Sequence, residues 1–336
     1  MPPSWPPTLR IQPCRSSSRC CQQEQSSAQF GDLIEHPDPW LAANGHLYRG
    51  FAAEVSGDAQ AAAMHFAAAR DRFAAVGDGW GLAGAVRHLG SGLGLGGDHA
   101  AAIAAIDQAI AFAEAVGAAD DAAWMHAERG MIRLRAGDLA GARDDLDGAA
   151  AGHAARSAMV LAFADTGLGE ISRHTGDPDR ARALLTAARR RLDETTGVPS
   201  RIRLLPLTGL ARLAVSCGQL SEARGFLAEA FRLALTAEPP LIQDRPSIAG
   251  ATEALAELAL AVGRPADAAR LLGYAAAVRG APDLGNPDVS RAEATARAAL
   301  DGEYEGLHVP AGQLSPDAAV TEVTALAGEL TGARFG

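Results

Sequence analysis

Gly92-Leu93-Gly94-Leu95-Gly96-Gly97 contains the spacing G-x-G-x-x-G. In that spacing a glycine-rich turn lets backbone N–H groups approach a pyrophosphate. The chemistry requires a strand before the glycines and a helix after them. Here a helical pattern precedes them, so the run reads as a helix closed at Gly97. Nine histidines are scattered along the chain without an H-E-x-x-H motif or another close pair, and no metal site is expected. Asp144-Asp145-Leu146-Asp147 lacks the ligand spacing of a calcium loop and is expected to be a solvated helix face. There is no G-x-S-x-G elbow and no separable Ser/His/Asp set. All 30 basic residues are arginine. Without a lysine there can be no Walker A loop, no Schiff-base lysine and no kinase lysine. No catalytic residue, cofactor or metal is therefore expected, and the chain reads as a non-enzyme.

The global balance narrows the partners further. A formal charge of −10 argues against nucleic-acid binding by this chain, because such binding rests on neutralising phosphates. Cys14, Cys20, Cys21 and Cys217 form no disulfide framework, which suits a reducing cytoplasm. No run approaches the roughly 18 apolar residues of a membrane span. The amino terminus has prolines at positions 2, 3, 6 and 7 and no apolar core of a signal peptide.

The elements that would position any site follow from one recurring joint. In Gly137-Asp138-Leu139-Ala140-Gly141-Ala142, Gly137 can close one helix in the left-handed conformation and Asp138 can cap the next. The joint recurs at Gly57, Gly97, Gly176, Gly218 and Gly263, and the six glycines are spaced by 40, 40, 39, 42 and 45 residues. Five residues after each glycine stands an alanine, from Ala62 to Ala268. Nine after it the residue is large and apolar: Phe66, Ile106, Leu146, Leu185, Leu227, Leu272. Twelve after it is again alanine, from Ala69 to Ala275. Seven before it the residue is tiny: Gly50, Gly90, Gly130, Gly169, Ala211, Ala256. A period of this length predicts stacked helix pairs. Strand patterns are missing, aromatics make up only 5 %, and the fold class is all-α.

Along the chain, residues 1–30 lack periodicity and read as a disordered tail. Order begins at His36-Pro37-Asp38-Pro39-Trp40, with Trp40 or Leu41 as the first buried anchor. Residues 31–280 form the repeats. Pro199, Pro239-Pro240 and Pro246 fall between pairs, where a helix must end. Residues 281–336 break the period and are expected to form a C-terminal helical cap. Its helices start at Asn286-Pro287 and Ser315-Pro316-Asp317, and they cover the open apolar face of the last repeat.

The small residue, glycine turn and alanine–bulky–alanine face resemble the tetratricopeptide repeat over about residues 40–280. The period departs from the standard 34 residues and approaches that of HEAT-like arrays. The resemblance implies a right-handed α-solenoid of about six helix pairs. A narrower resemblance is carried by the opening His36-Pro37-Asp38-Pro39-Trp40, the Ala-Gly-Asp turns, Leu271-Leu272-Gly273, Arg279-Gly280-Ala281-Pro282, Pro287-Asp288-Val289 and Leu314-Ser315. It is to the helical C-terminal part of SARP-type, BTAD-containing bacterial transcriptional regulators and related ATPase regulators. In that family a winged-helix domain and a signal-transduction NTPase module precede the helical array. This sequence has no phosphate loop and no basic recognition helix, so only the sensor or scaffold portion is matched. The resemblance implies that first helices line a concave groove for a protein, a peptide or a small effector. It places Asn44, Arg87, Trp124, Met131, Arg135, Phe163, Arg173, His174 and Arg212 on or near that face. Arginines there suit carboxylates and Trp124 an apolar side chain, while Trp124, Met131 and Phe163 equally suit inter-helix core. The expected function is a non-catalytic interaction or effector-sensing scaffold. The alternatives are a remnant without present function or an enzyme on a helical array.

Overall fold

A computed structural model describes residues 33–151, 157–235 and 244–335. The tail 1–30, with Cys14, Cys20 and Cys21, and the Pro239-Pro240 pair lie outside these residues. The described chain is helical throughout, with no strand among the described residues. The helices are α1 (Pro39–Val55), α2 (Ala59–Val76), α3 (Gly79–Leu95), α4 (His99–Ala115), α5 (Ala119–Arg135), α6 (Leu139–Ala151), α7 (Ala158–His174), α8 (Pro178–Asp193), α9 (Ser200–Ser216), α10 (Leu220–Leu235), α11 (Arg245–Ala261), α12 (Pro265–Arg279), α13 (Pro287–Leu300), α14 (Tyr304–Gly312) and α15 (Pro316–Thr331). None is long and apolar enough to cross a membrane.

Each of the six repeat glycines sits at the bend between two packed helices, and each has a positive φ, from 71° at Gly218 to 86° at Gly97. A side chain at that φ is strained, so glycine ends the first helix at little steric cost. In four copies the next residue is Asp58, Asp98, Asp138 or Asp177. Its carboxylate accepts from the backbone N–H three residues on, at 2.9–3.1 Å, satisfying an amide the new helix cannot.

All four repeat positions are buried in all six copies. The glycine seven before the bend faces the large residue nine after it. A Cβ on Gly50 would stand 2.6 Å from the Phe66 ring, on Gly130 2.9 Å from Leu146 Cγ, and on Gly169 2.8 Å from Leu185 Cγ. The two positions form one knob and one hole across the hairpin, so the backbones approach as closely as the knob allows.

Two expectations are corrected here. Trp40 is not a buried anchor: it is 44 % exposed, and its Nε1 donates to Asp78 Oδ2 at 2.7 Å. Trp80, one period on, is exposed in the same way and donates to Asp121 at 3.0 Å. Both tryptophans clip one hairpin to the first turn of the next. Asp145 is not solvated: it is buried beneath Arg129 and Arg133, which donate to it at 2.5–2.9 Å. Burial opposes its charge, but the two guanidiniums outweigh this and hold its pKa at about 2.

The hairpins curl until the first meets the last. α11 lies against α1, and Arg245 Nη1 donates to the Ser56 carbonyl at 2.6 Å. The Arg201 guanidinium lies 5.2 Å above the Phe51 ring. Gly57 and Gly280 touch through their backbones, leaving no room for a Cβ on Gly280. Beyond α12, α14 packs on α12, and α15 packs on α10, α11 and α12. Tyr304, Val323 and Leu330 are buried in these contacts. α14 carries no start signal legible in the residues: it begins without a side-chain cap and has Pro310 inside. α13 differs, since it buries only Asp288, Ala292 and Ala296.

His46 makes the first hairpin sensitive to acid. It is buried in α1 with Nδ1 3.1 Å from His65 Nδ1 of α2. Burial, with Arg72 nearby, lowers its pKa to about 4. In the unfolded chain the imidazole protonates near its usual pKa of roughly 6.5. Its stabilising contribution is therefore complete above that value and is lost as the pH falls toward 4. We expect the free energy of unfolding to drop over this window by on the order of 1–3 kcal/mol, and a flatter profile for His46→Leu. Identical profiles in the two chains would contradict this.

Candidate functional site

The first helix of every hairpin turns one face toward a shared central cavity of about 530 Å³. α1 supplies Phe51, Glu54 and Val55, and α3 supplies Arg87, His88 and Ser91. α5 supplies Trp124 and Glu128, and α7 supplies Met159 and Phe163. α9 contributes residues from Arg201 to Thr208, and α11 contributes Pro246, Ser247, Gly250 and Ala251. The volume falls within the range of small-molecule pockets.

Its walls divide by chemistry. Trp124 and Phe163 meet at 4.8 Å between ring centroids, and Met159, Ile202 and Leu205 extend this apolar side. Elsewhere the lining is charged. Arg87 Nη1 and Trp124 Nε1 donate to Glu128 Oε1 at 2.7 and 2.8 Å. Arg87 also lies 2.7 Å from His88 Nε2, while His88 Nδ1 is 3.0 Å from Glu54. The His88 ring stacks on Phe66 at 4.5 Å, which fixes its plane. Burial works against the charge on Glu54, but His88, Arg87 and Arg201 outweigh it and hold its pKa below the ordinary value. At Asp244 burial prevails and pushes the carboxyl up, against the pull of Arg201 and the Ser247 hydrogen bonds. Arg201 has no carboxylate at ion-pair distance among the described residues and contacts the Phe51 face instead. The arrangement offers an apolar bed, a guanidinium and a ring of hydrogen-bonding groups. Of its charged groups, Arg87, Glu128, His88 and Glu54 are tied to one another, while Arg201 is left to the Phe51 face.

One or two helical turns further along the same helices, the interior is filled. The segment linking α12 to α13 crosses it. Arg135 donates to Asp283 and, from Nε, to the Gly285 carbonyl at 3.1 Å. His99 Nε2 lies 3.1 Å from that carbonyl, and Gly285 N donates to Leu95 O at 3.2 Å. Arg173 donates to Asp288 and, at 2.6 Å, to Glu170. Burial opposes the charges of both Arg173 and Asp288, but their pairing prevails, raising the arginine pKa and taking the aspartate well below the carboxylate range. Arg212 donates to Glu257 at 2.8 Å and Arg279 meets Glu253 at 2.6 Å.

The expected groove residues thus divide. Arg87, Trp124 and Phe163 line the cavity. Met131 is part of the inter-helix core, packed with Leu146 and Leu168. Arg135, Arg173 and His174 face inward but are covered by the chain's own residues 283–288, and Arg212 is covered by Glu257. Asn44 lies outside both groups and bonds its own helix at the Trp40 carbonyl, 2.9 Å away. Glu170, His174 and Asp288 stand close enough together to suggest a cation site. The Arg173 guanidinium already bonds both carboxylates and supplies that positive charge. Gly92 and Gly94 lie within α3, and Gly97 is a bend, so the glycine run builds no phosphate turn.

Phe51, His88, Met159 and Arg201 were not singled out in the sequence. A cue existed for some inner pairs: Arg87 and Glu128 are 41 residues apart, and Arg212 and Glu257 45, each about one period. No family model matches the chain, and no curated protein is significantly similar to it.

Proposed function

We propose that this chain is a non-catalytic, effector-sensing scaffold whose ligand binds in the central cavity. In this reading it is a tetratricopeptide-like, right-handed α-solenoid of about six helix pairs. It has a C-terminal helical cap, works in the cytoplasm, and corresponds to the sensor portion of SARP-type regulators. What carries the reading is the convergence of six successive first helices on one cavity of about 530 Å³. A compact amphipathic molecule suits it, with its apolar body against Trp124 and Phe163 and its polar end toward Arg201. Binding there would bridge hairpins far apart in sequence, which is how occupancy could alter the shape of the whole array.

Gly250 allows a direct test. It lines the cavity, and a Cβ placed on it meets nothing within 4 Å. Gly250→Trp should fill the space without disturbing the backbone. Anilinonaphthalene sulfonate, an amphipathic aromatic anion, is the probe. We expect saturable binding to the native chain and about tenfold weaker binding to Gly250→Trp, with unchanged circular dichroism. Equal binding by both chains would remove the cavity from the account.

A further inference from the structure

The segment 281–288 is held in an unusual way for a core element. Its large apolar side chain, Leu284, is 65 % exposed. Its grip consists of backbone and carboxylate contacts: Gly285 N to Leu95 O, Arg135 and His99 to the Gly285 carbonyl, Arg135 to Asp283, and Arg173 to Asp288. Gly285 presses on the Gly94 carbonyl so closely that no Cβ would fit. Extended peptides dock in grooves in this manner, with main-chain bonds giving affinity and a few pockets giving specificity. The flanks permit departure. Gly280 precedes the segment in the left-handed conformation, and α13 behind it buries only Ala292 and Ala296 as apolar side chains.

We propose that Arg135, His99 and Arg173 form a binding site for an extended acidic segment, and that residues 281–288 are its built-in occupant. The partner is a peptide with two carboxylates five residues apart, like Asp283 and Asp288, and a glycine between them where the backbone passes Gly94. The site binds in cis because tethering holds the segment at an effective concentration in the millimolar range. A partner therefore gains access by competing with it. The arginines explain the preference for carboxylates over amides, since their fork matches two oxygens at once. Release leaves Arg173 still paired with Glu170 at 2.6 and 3.0 Å, whereas Arg135 loses the carboxylate of Asp283 and is freed for a partner's carboxylate. This proposal stands independently of the cavity reading, because it concerns a separate set of residues further along the same helices.

The test supplies the segment in trans. A fluorescent peptide spanning residues 279–292 is titrated by anisotropy against the full chain. It is also titrated against Asp283→Asn/Asp288→Asn, which weakens the cis occupant, and against Gly285→Val, which sterically lifts it. We expect at least about thirtyfold tighter binding to both variants than to the native chain. We also expect little binding of the same peptide with both aspartates changed to asparagine. Adding Arg135→Gln to the double variant should cost about tenfold. Indifference of the variants to the peptide, or equal binding of the asparagine peptide, overturns the proposal. So does unfolding of both variants by circular dichroism, since a segment that cannot leave is core rather than ligand.

Discussion

Arg173→Met is expected to lower the free energy of unfolding by about 3–5 kcal/mol. The guanidinium is nearly enclosed, with 6 % of its side chain exposed, and so are its partners, Glu170 at 11 % and Asp288 at 4 %. Methionine fills most of the volume, so the loss is electrostatic. It leaves Glu170 without a cation among the described residues and Asp288 with the exposed Arg291 of its own helix, and little water solvates the two carboxylates. Arg182→Met removes an ion pair of similar geometry, 2.8 Å to Glu222, but at an exposed place. Its expected cost is below about 1 kcal/mol. Asp288→Asn should fall between them, because Arg173 keeps Glu170. Denaturant midpoints followed by circular dichroism rank the three chains. A loss at Arg173 no larger than at Arg182 would mean that the inner charges are solvated.

The legible part of this fold is local. The glycine at −7 and the bulky residue at +9 are placed almost symmetrically about a bend, so one hairpin defines their contact, and six copies repeat it. Asp145 obeys the same symmetry with Arg129, eight residues on either side of Gly137. It was misread because its own neighbours, Asp144 and Asp147, suggested a solvated acidic run. Trp40 was misread for a different reason. Its partner Asp78 lies one repeat on, and size alone suggested burial. Closure of the array could not be read at all. It depends on a small rotation between hairpins, summed over the repeats, and no residue type encodes that sum. The cavity and the residues 281–288 that cross the interior follow from closure. Arg135 meets Asp283 across 148 residues and Arg173 meets Asp288 across 115, separations at which charge pairing leaves no periodic trace. Arg135 and Arg173 thus meet residues 283–288, an occupant that no residue pattern announces.

Gly280→Ala is expected to break that closure. Gly280 has a φ of 81°, and an L side chain there is strained by about 1–2 kcal/mol. The added Cβ would also collide with the Gly57 carbonyl oxygen, a backbone atom that cannot swing aside. The combined cost should approach about 3 kcal/mol and fall on the seam between the first hairpin and α12. Gly218→Ala is the control. Its φ is 71° but a Cβ meets nothing within 4 Å, so only the strain applies. The seam can be measured directly with a cysteine pair one residue from the touching glycines, Ser56→Cys and Ala281→Cys, in a chain whose native cysteines are replaced by serine. A closed array predicts rapid intramolecular joining by a short bis-maleimide, as fast as for the neighbouring-repeat pair Arg182→Cys and Glu222→Cys, and loss of joining in Gly280→Ala. Failure of the Ser56–Ala281 pair to join while the Arg182–Glu222 pair does would contradict the central claim that six inner helices close around one cavity.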